Sequence, residues 1–310
     1  MHMSRCFVLL MALLILPVSV QAQGTPQDGH IIEGLEHPES VAKGPDGDTF
    51  YASNIGAKLA PTAKDGDGSI ARLSADGSVE TAQFLPASDE ATLHAPKGTV
   101  VMDGRLYTAD IDRVVGFSLE NRTKIADVGL ADKGVSFLND IAVMDRQTLL
   151  VSGSNQGTIY RVDLEAGTAT ALDVEVPGVN GLAYSSADGV LYAVNFGGEQ
   201  GGQLWTLTLD ESGAVEESTS RTLLEGGRFD GIVLRPNDTI LISDWGVEAD
   251  ANPTRALHRV EDGGTGSVTT IALSDWKGPA DFTCAQGRGC WIPDLPASAV
   301  EVVRPAERMK

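Results

Sequence analysis

NGLAYSSADGVLYAVN, residues 180–195, is the stretch on which the reading of this chain turns. A short apolar segment leads into the turn formers Ser186-Ala187-Asp188-Gly189 and then into a second apolar segment ending on a polar residue, the pattern of two strands joined by a hairpin. The same pattern opens at Glu39 (ESVAKGPDGDTFYASN), Lys97 (KGTVVMDGRLYTAD), Asn139 (NDIAVMDRQTLLVSGS), Asp230 (DGIVLRPNDTILISDW) and Ala280 (ADFTCAQGRGCWIPDL). The six openings stand 58, 42, 41, 50 and 50 residues apart. A repeat of that length, made of short strands and Gly/Asp turns, predicts an all-β protein, a six-bladed β-propeller.

Copies one to five each continue with two further strand-like segments, such as residues 69–73 and 79–85 after the first pair, which gives the four strands of a blade. Copy six has only residues 299–303 left before the chain ends. A lone strand-like segment, residues 30–35, precedes copy one and is predicted to fill the gap. The propeller is then closed by an N-terminal strand joining the C-terminal blade, which removes an edge that would invite aggregation. The copies span nearly the whole chain, so residues 23–310 read as a single domain, although a chain of 310 residues has room for two.

Residues 1–22 read as a secretory signal peptide: Arg5 precedes an apolar run over residues 6–20, and Val20-Gln21-Ala22 is a plausible cleavage site. The expected mature protein is exported, periplasmic or extracellular, with no membrane association after cleavage; an uncleaved anchor is the alternative. Cysteine usage agrees. Cys6 lies in the leader, and Cys284 and Cys290 flank the turn at residues 285–289, where an oxidising compartment would allow a disulfide; two buried thiols are the alternative. A formal net charge of −20 argues against nucleic acid and anionic lipid as partners, and otherwise serves solubility.

In a propeller the first strand of each blade lines the central channel. The openings of the copies therefore place Glu39, Lys97, Asn139, Asn180, Asp230 and Ala280 around one mouth. The ends of the antiparallel second strands return to it at Asn54, Asp110, Ser154, Asn195, Asp244 and Asp294. Burying charged side chains unpaired is costly, and strand starts prefer apolar or β-branched residues, so four oxygen-bearing side chains on one axis need a reason. A hard cation supplies one: calcium takes carboxylate, amide and water oxygens, and Glu39, Asn139, Asn180 and Asp230 would be its protein ligands. Against that stands the turn-forming habit of Asn-Asp and Asn-Gly, and the Lys97 ammonium, which could balance a carboxylate without metal. No Cys/His cluster suggests zinc. The acidic loop at residues 64–68 lacks the glutamate of an EF-hand and reads as a surface turn.

Pro38-Glu39-Ser40, Leu138-Asn139-Asp140, VNGLAY at residues 179–184 and FDGIVL at residues 229–234 together resemble the senescence marker protein (regucalcin)/gluconolactonase-like family of six-bladed propellers, and the related diisopropylfluorophosphatases and paraoxonases. The resemblance covers essentially the whole mature chain. It implies a calcium ion in the channel held by Glu39, Asn139, Asn180 and Asp230, and hydrolysis of a lactone, a related ester or an organophosphate. In that chemistry calcium is the Lewis acid and Asp230 is either the general base or the nucleophile. Lys97 departs from the family's metal set; it is a candidate for gripping an anionic substrate in catalysis, or for disabling the site. His37 and His94, just before ring residues, are candidates to stand over the metal or are ordinary packing histidines. Two function classes follow: an exported calcium-dependent hydrolase with a small-molecule lactone or ester as substrate, or a non-catalytic propeller that binds a ligand or protein with a structural metal or none. The rim loops at residues 54–68 and 245–255 suit either.

Overall fold

The computed structural model describes residues 28–88, 91–197, 201–247 and 253–305. The signal-peptide reading of residues 1–22 lies outside them. Six four-stranded antiparallel sheets follow one another along the chain as the blades of a propeller. Blade one runs Pro38–Lys43, Thr49–Asn54, Ser69–Ser74 and Val79–Leu85 from the axis outward. The inner strands of blades two to five are Pro96–Met102, Leu138–Val143, Val179–Ser185 and Phe229–Arg235. Burial explains the order. Inner strands such as VNGLAYS are enclosed at their mouth end, while the outermost strand of blade four, VEESTSRT, is exposed almost throughout.

The sixth blade closes as predicted. Its own strands Thr283–Ala285, Gly289–Asp294 and Ala299–Val303 are completed by His30–Ile32 from the other end of the chain. Ile32 pairs with Val300 and His30 with Val302. Ile32 and Leu35 then enter the apolar gap between blades six and one, where Phe50 stacks on Trp291 at a centroid distance of 4.0 Å. Each of the other five gaps between blades holds its own apolar cluster, so the molecule is held by a ring of small cores. Cys284 and Cys290 lie opposite each other on the first two strands of blade six and form a disulfide.

One irregularity recurs and decides the geometry of the site. In blades one to five the inner strand carries one residue more than its partner at the mouth end: the register shifts between Pro38 and Ser40, Pro96 and Thr99, Leu138 and Ile141, Val179 and Leu182, and Phe229 and Ile232. These are β-bulges, which break the in-out alternation of a strand and re-aim its side chains. The ring residues Glu39, Lys97, Asn139, Asn180 and Asp230 all fall inside them.

Candidate metal centre

The bulges leave backbone N–H groups without a strand partner, and hydroxyls on the neighbouring second strands take them. Ser53 accepts from the Ser40 N–H (3.0 Å), Ser152 from the Asp140 N–H (2.8 Å) and Ser243 from the Gly231 N–H (2.8 Å). Ser152 and Ser243 also donate to the Asn180 and Ala280 carbonyls of the next blade. The blades meet so closely here that a Cβ on Gly181 would lie 2.2 Å from the Asp230 carbonyl oxygen, which is why that position is glycine.

Inside this frame Glu39, Asn139, Asn180 and Asp230 are 3%, 4%, 5% and 5% exposed. One oxygen of each, Glu39 Oε2, Asn139 Oδ1, Asn180 Oδ1 and Asp230 Oδ1, is buried with no hydrogen-bond partner. Buried polar atoms are nearly always paired, so four orphans at the same place in four blades are a single unmet demand. The unmet demand is for something electropositive, and the donor set is two carboxylates and two amide carbonyls. It fits a hard cation of the calcium type and offers nothing to a soft one. Among the described residues no group of three or more His, Cys, Asp and Glu is placed to hold a metal ion.

Two further carboxylates lie against the ring, and strand alternation hid both. Strict alternation would turn Asp281, beside Ala280, away from the channel, and a one-residue slip would reverse that; its charge is felt by Glu39, Asp140 and Asp230. Its Oδ2 accepts the Ser40 hydroxyl (2.5 Å), and Ser40 Oγ in turn accepts the Thr99 N–H, so blades six, one and two are linked. Asp140 accepts the N–H groups of Ile141 and Leu182, both at 2.6 Å, linking blades three and four. Burial pushes the Glu39, Asp140 and Asp230 carboxyls well above the usual carboxylate range, reinforced by their mutual repulsion and by Asp281. Burial likewise lifts Asp281 to about 7, against the opposing pull of Ser40 and the Phe282 N–H. The Trp245 indole lies near enough to Asp230 to favour its charged form, yet its N–H completes no hydrogen bond.

Lys97 occupies the ring position of blade two and is 1% exposed. Its ammonium makes no ion pair with the carboxylates of the ring. It donates to the carbonyls of Pro61 (2.8 Å) and Ala95 (3.1 Å) and stands 4.6 Å from the centre of the Phe137 ring. Burial lowers its pKa to about 8, opposed by the charges of Glu39 and Asp110. His37 and His94 are bound to the rim loop: His37 Nδ1 lies 2.9 Å from the Gly56 carbonyl, and His94 Nδ1 is 3.1 Å from the Gly66 N–H. The strand-two ends hold loop backbone, and Asp110 and Asp244 pair in addition with Arg113 and His258. Asp110 accepts the N–H groups of His94 and Ala95, Asp244 those of Arg228 and Gly246, and Asp294 those of Lys277 and Gly278. In blade three Asn155 does this work for Ser136 and Phe137, one residue beyond the expected Ser154. The acidic loop at residues 64–68 is a turn, in which Asp67 accepts the Ala57 N–H (2.8 Å).

Fold and site together define a β-propeller whose channel mouth is a ring of buried oxygens. No protein-family model matches the chain, and no curated protein matches it. Solved structures do. The chain is similar to hydrazine synthase of Kuenenia stuttgartiensis, at 17% identity over 87% of this chain and 77% of that one with a TM-score of 0.57. It is similar to a streptogramin B lyase, at 13% identity over 87% and 96% with a TM-score of 0.57. A catalytically inactive virginiamycin B lyase from Staphylococcus aureus with quinupristin is similar at 18% identity over 85% and 93%, with a TM-score of 0.56. At such identities the likeness carries the fold.

Proposed function

We propose that the channel holds one calcium ion on Glu39, Asn139, Asn180 and Asp230, and that the protein is an exported calcium-dependent hydrolase of lactones or related esters, as the gluconolactonase-like resemblance implies. The observation that carries the metal reading is the set of four buried, unpartnered oxygens contributed by those residues. Calcium, when bound, would supply a Lewis acid for the carbonyl of the substrate. The chain's own part is then clear. Glu39 and Asp230 hold the ion's charge, and Asn139 and Asn180 add oxygen without charge. Burial favours the protonated form of Asp230 in the bare site; a dication beside it would favour the carboxylate, which can take a proton from water. Asp140 and Asp281 hold the backbone of the ring in place. Export is supported by the Cys284–Cys290 disulfide, since such bonds persist in oxidising compartments.

The burial of the four oxygens is also compatible with a second reading, a non-catalytic ligand- or protein-binding propeller with a structural metal or none. Metal content and calcium titration of the purified protein, beside Asp230→Ala and with a panel of lactones and esters, separate the two. Stoichiometric calcium with turnover that Asp230→Ala abolishes supports the hydrolase. Calcium without turnover supports the structural reading, and no calcium removes both metal readings.

A further inference from the structure

Four oxygens of the ring are buried, so what an ion or a substrate meets first is the set of groups packed around the mouth. The rim loop at residues 54–68 reaches the ring on the side of blades one and two, where Lys97 donates to its Pro61 carbonyl. Its two ends are pinned. Ile55 and Gly56 donate their N–H groups to the His37 and Glu36 carbonyls, and His37 returns to Gly56. At the far end Gly68 donates to the Leu93 carbonyl and Gly66 to His94. Each pinned end contains a glycine in the left-handed region, Gly56 at φ 136° and Gly66 at φ 81°. Between them, in the strap segment at residues 57–65, Ala60, Pro61 and Ala63 are half-buried and the other six residues are exposed.

What holds the middle of that strap comes from inside the channel. An ammonium has three donors. Lys97 gives one to the Pro61 carbonyl on the strap and one to the Ala95 carbonyl beneath it, with its charge over the face of Phe137. On the outside Lys64 pairs with Asp112, but Lys64 is half exposed and such a pair is weak. A buried charged hydrogen bond is the stronger tie.

We propose that Lys97 is a positioning residue, the inner latch of a strap formed by residues 57–65 that swings on Gly56 and Gly66 to open the channel mouth. Nothing in the assignment places Lys97 against a reacting atom. The latch itself is independent of what the ring binds; its consequence, control of calcium exchange, rests on the proposed calcium site.

The test is amide hydrogen exchange across the strap in the full chain, read beside the rate at which a chelator removes calcium. Lys97→Met keeps the bulk of the side chain and removes the donor. Exchange in residues 57–65 should rise roughly tenfold or more, with the blades unchanged. Calcium should leave several-fold faster. That sign is informative, because removing a positive charge beside a cation would by charge alone slow its departure. Phe137→Leu keeps the ammonium and removes the ring under it; a smaller rise in the same peptides is expected, and this variant decides the matter if Lys97→Met fails to fold. Unchanged exchange in the strap overturns the latch, whatever calcium does. Slower calcium release in Lys97→Met assigns Lys97 to charge balance and overturns the gate. A wild-type protein that takes up no calcium defeats the metal site, while the exchange measurement still judges the latch.

Discussion

At the scale of the residue, the ring is a set of buried oxygens, four of them without a hydrogen-bond partner. Asp230→Asn and Glu39→Gln each remove one buried charge from the proposed ligand set while keeping its shape, and each should weaken calcium binding by roughly 100-fold or more; isothermal titration reads this directly. A pH dependence follows from the raised carboxyls. In the metal-free fold Glu39, Asp140 and Asp230 sit well above the ordinary range and Asp281 at about 7, so the native state keeps protons that the unfolded chain has already released. Stability from these groups is therefore full below the unfolded carboxyl range near pH ~4 and declines as pH rises through neutrality. Melting curves of the metal-free protein should fall between about pH 5 and pH 8. Calcium should restore most at the high end, where its ligands are already ionised. A metal-free protein that grows more stable with rising pH would contradict the burial of these acids.

At the scale of the element, the bulge carries the site. Ser152 is the clearest case: one hydroxyl accepts the Asp140 N–H at 2.8 Å and donates to the Asn180 carbonyl at 2.6 Å. Ser152→Ala strands both groups and should cost about 1–3 kcal/mol in denaturant unfolding. Because it loosens the strand that aims Asn180, it should also lower calcium affinity about 10- to 100-fold, as losses behind a ligand shell do. Loss of stability with calcium affinity intact would show that the ring is not aimed from behind. The bulge is also what the sequence concealed. Glu39, Asn139, Asn180 and Asp230 are legible because they recur at one position of a repeat. Asp140 and Asp281 stand one residue later, and a reading that assumes strict alternation turns them away from the channel. The serines read only as ordinary strand residues, and the Lys97–Pro61 contact joins a strand to a loop with no periodicity to announce it.

At the scale of the whole molecule, the repeat fixes the architecture well before any side chain is considered. Six hairpins at similar spacing, one blade short of a strand and one strand without a blade, leave a single economical arrangement, and the closing pair His30–Ile32 with Ala299–Val303 is its result. Removing residues 28–35 takes Ile32 and Leu35 out of the core between blades six and one as well as the edge strand itself. Two such buried aliphatic side chains are worth about 2–5 kcal/mol each when lost, so the truncated chain should be largely unfolded or aggregated by circular dichroism and light scattering. The disulfide is a lesser tie. It closes a sequence separation of only 6 residues, so replacing Cys284 and Cys290 together by serine should cost less than the ~3 kcal/mol of a 15-residue loop.

The closing strand also has a meaning in time. His30–Ile32 leaves the ribosome among the first segments of the described chain, and its partner Ala299–Val303 among the last. Blades one to five can assemble as they emerge, each from local hairpins. The earlier strand must wait, unpaired, while five whole blades and two strands of the sixth are made, and the ring becomes a ring only when His30–Ile32 meets Ala299–Val303.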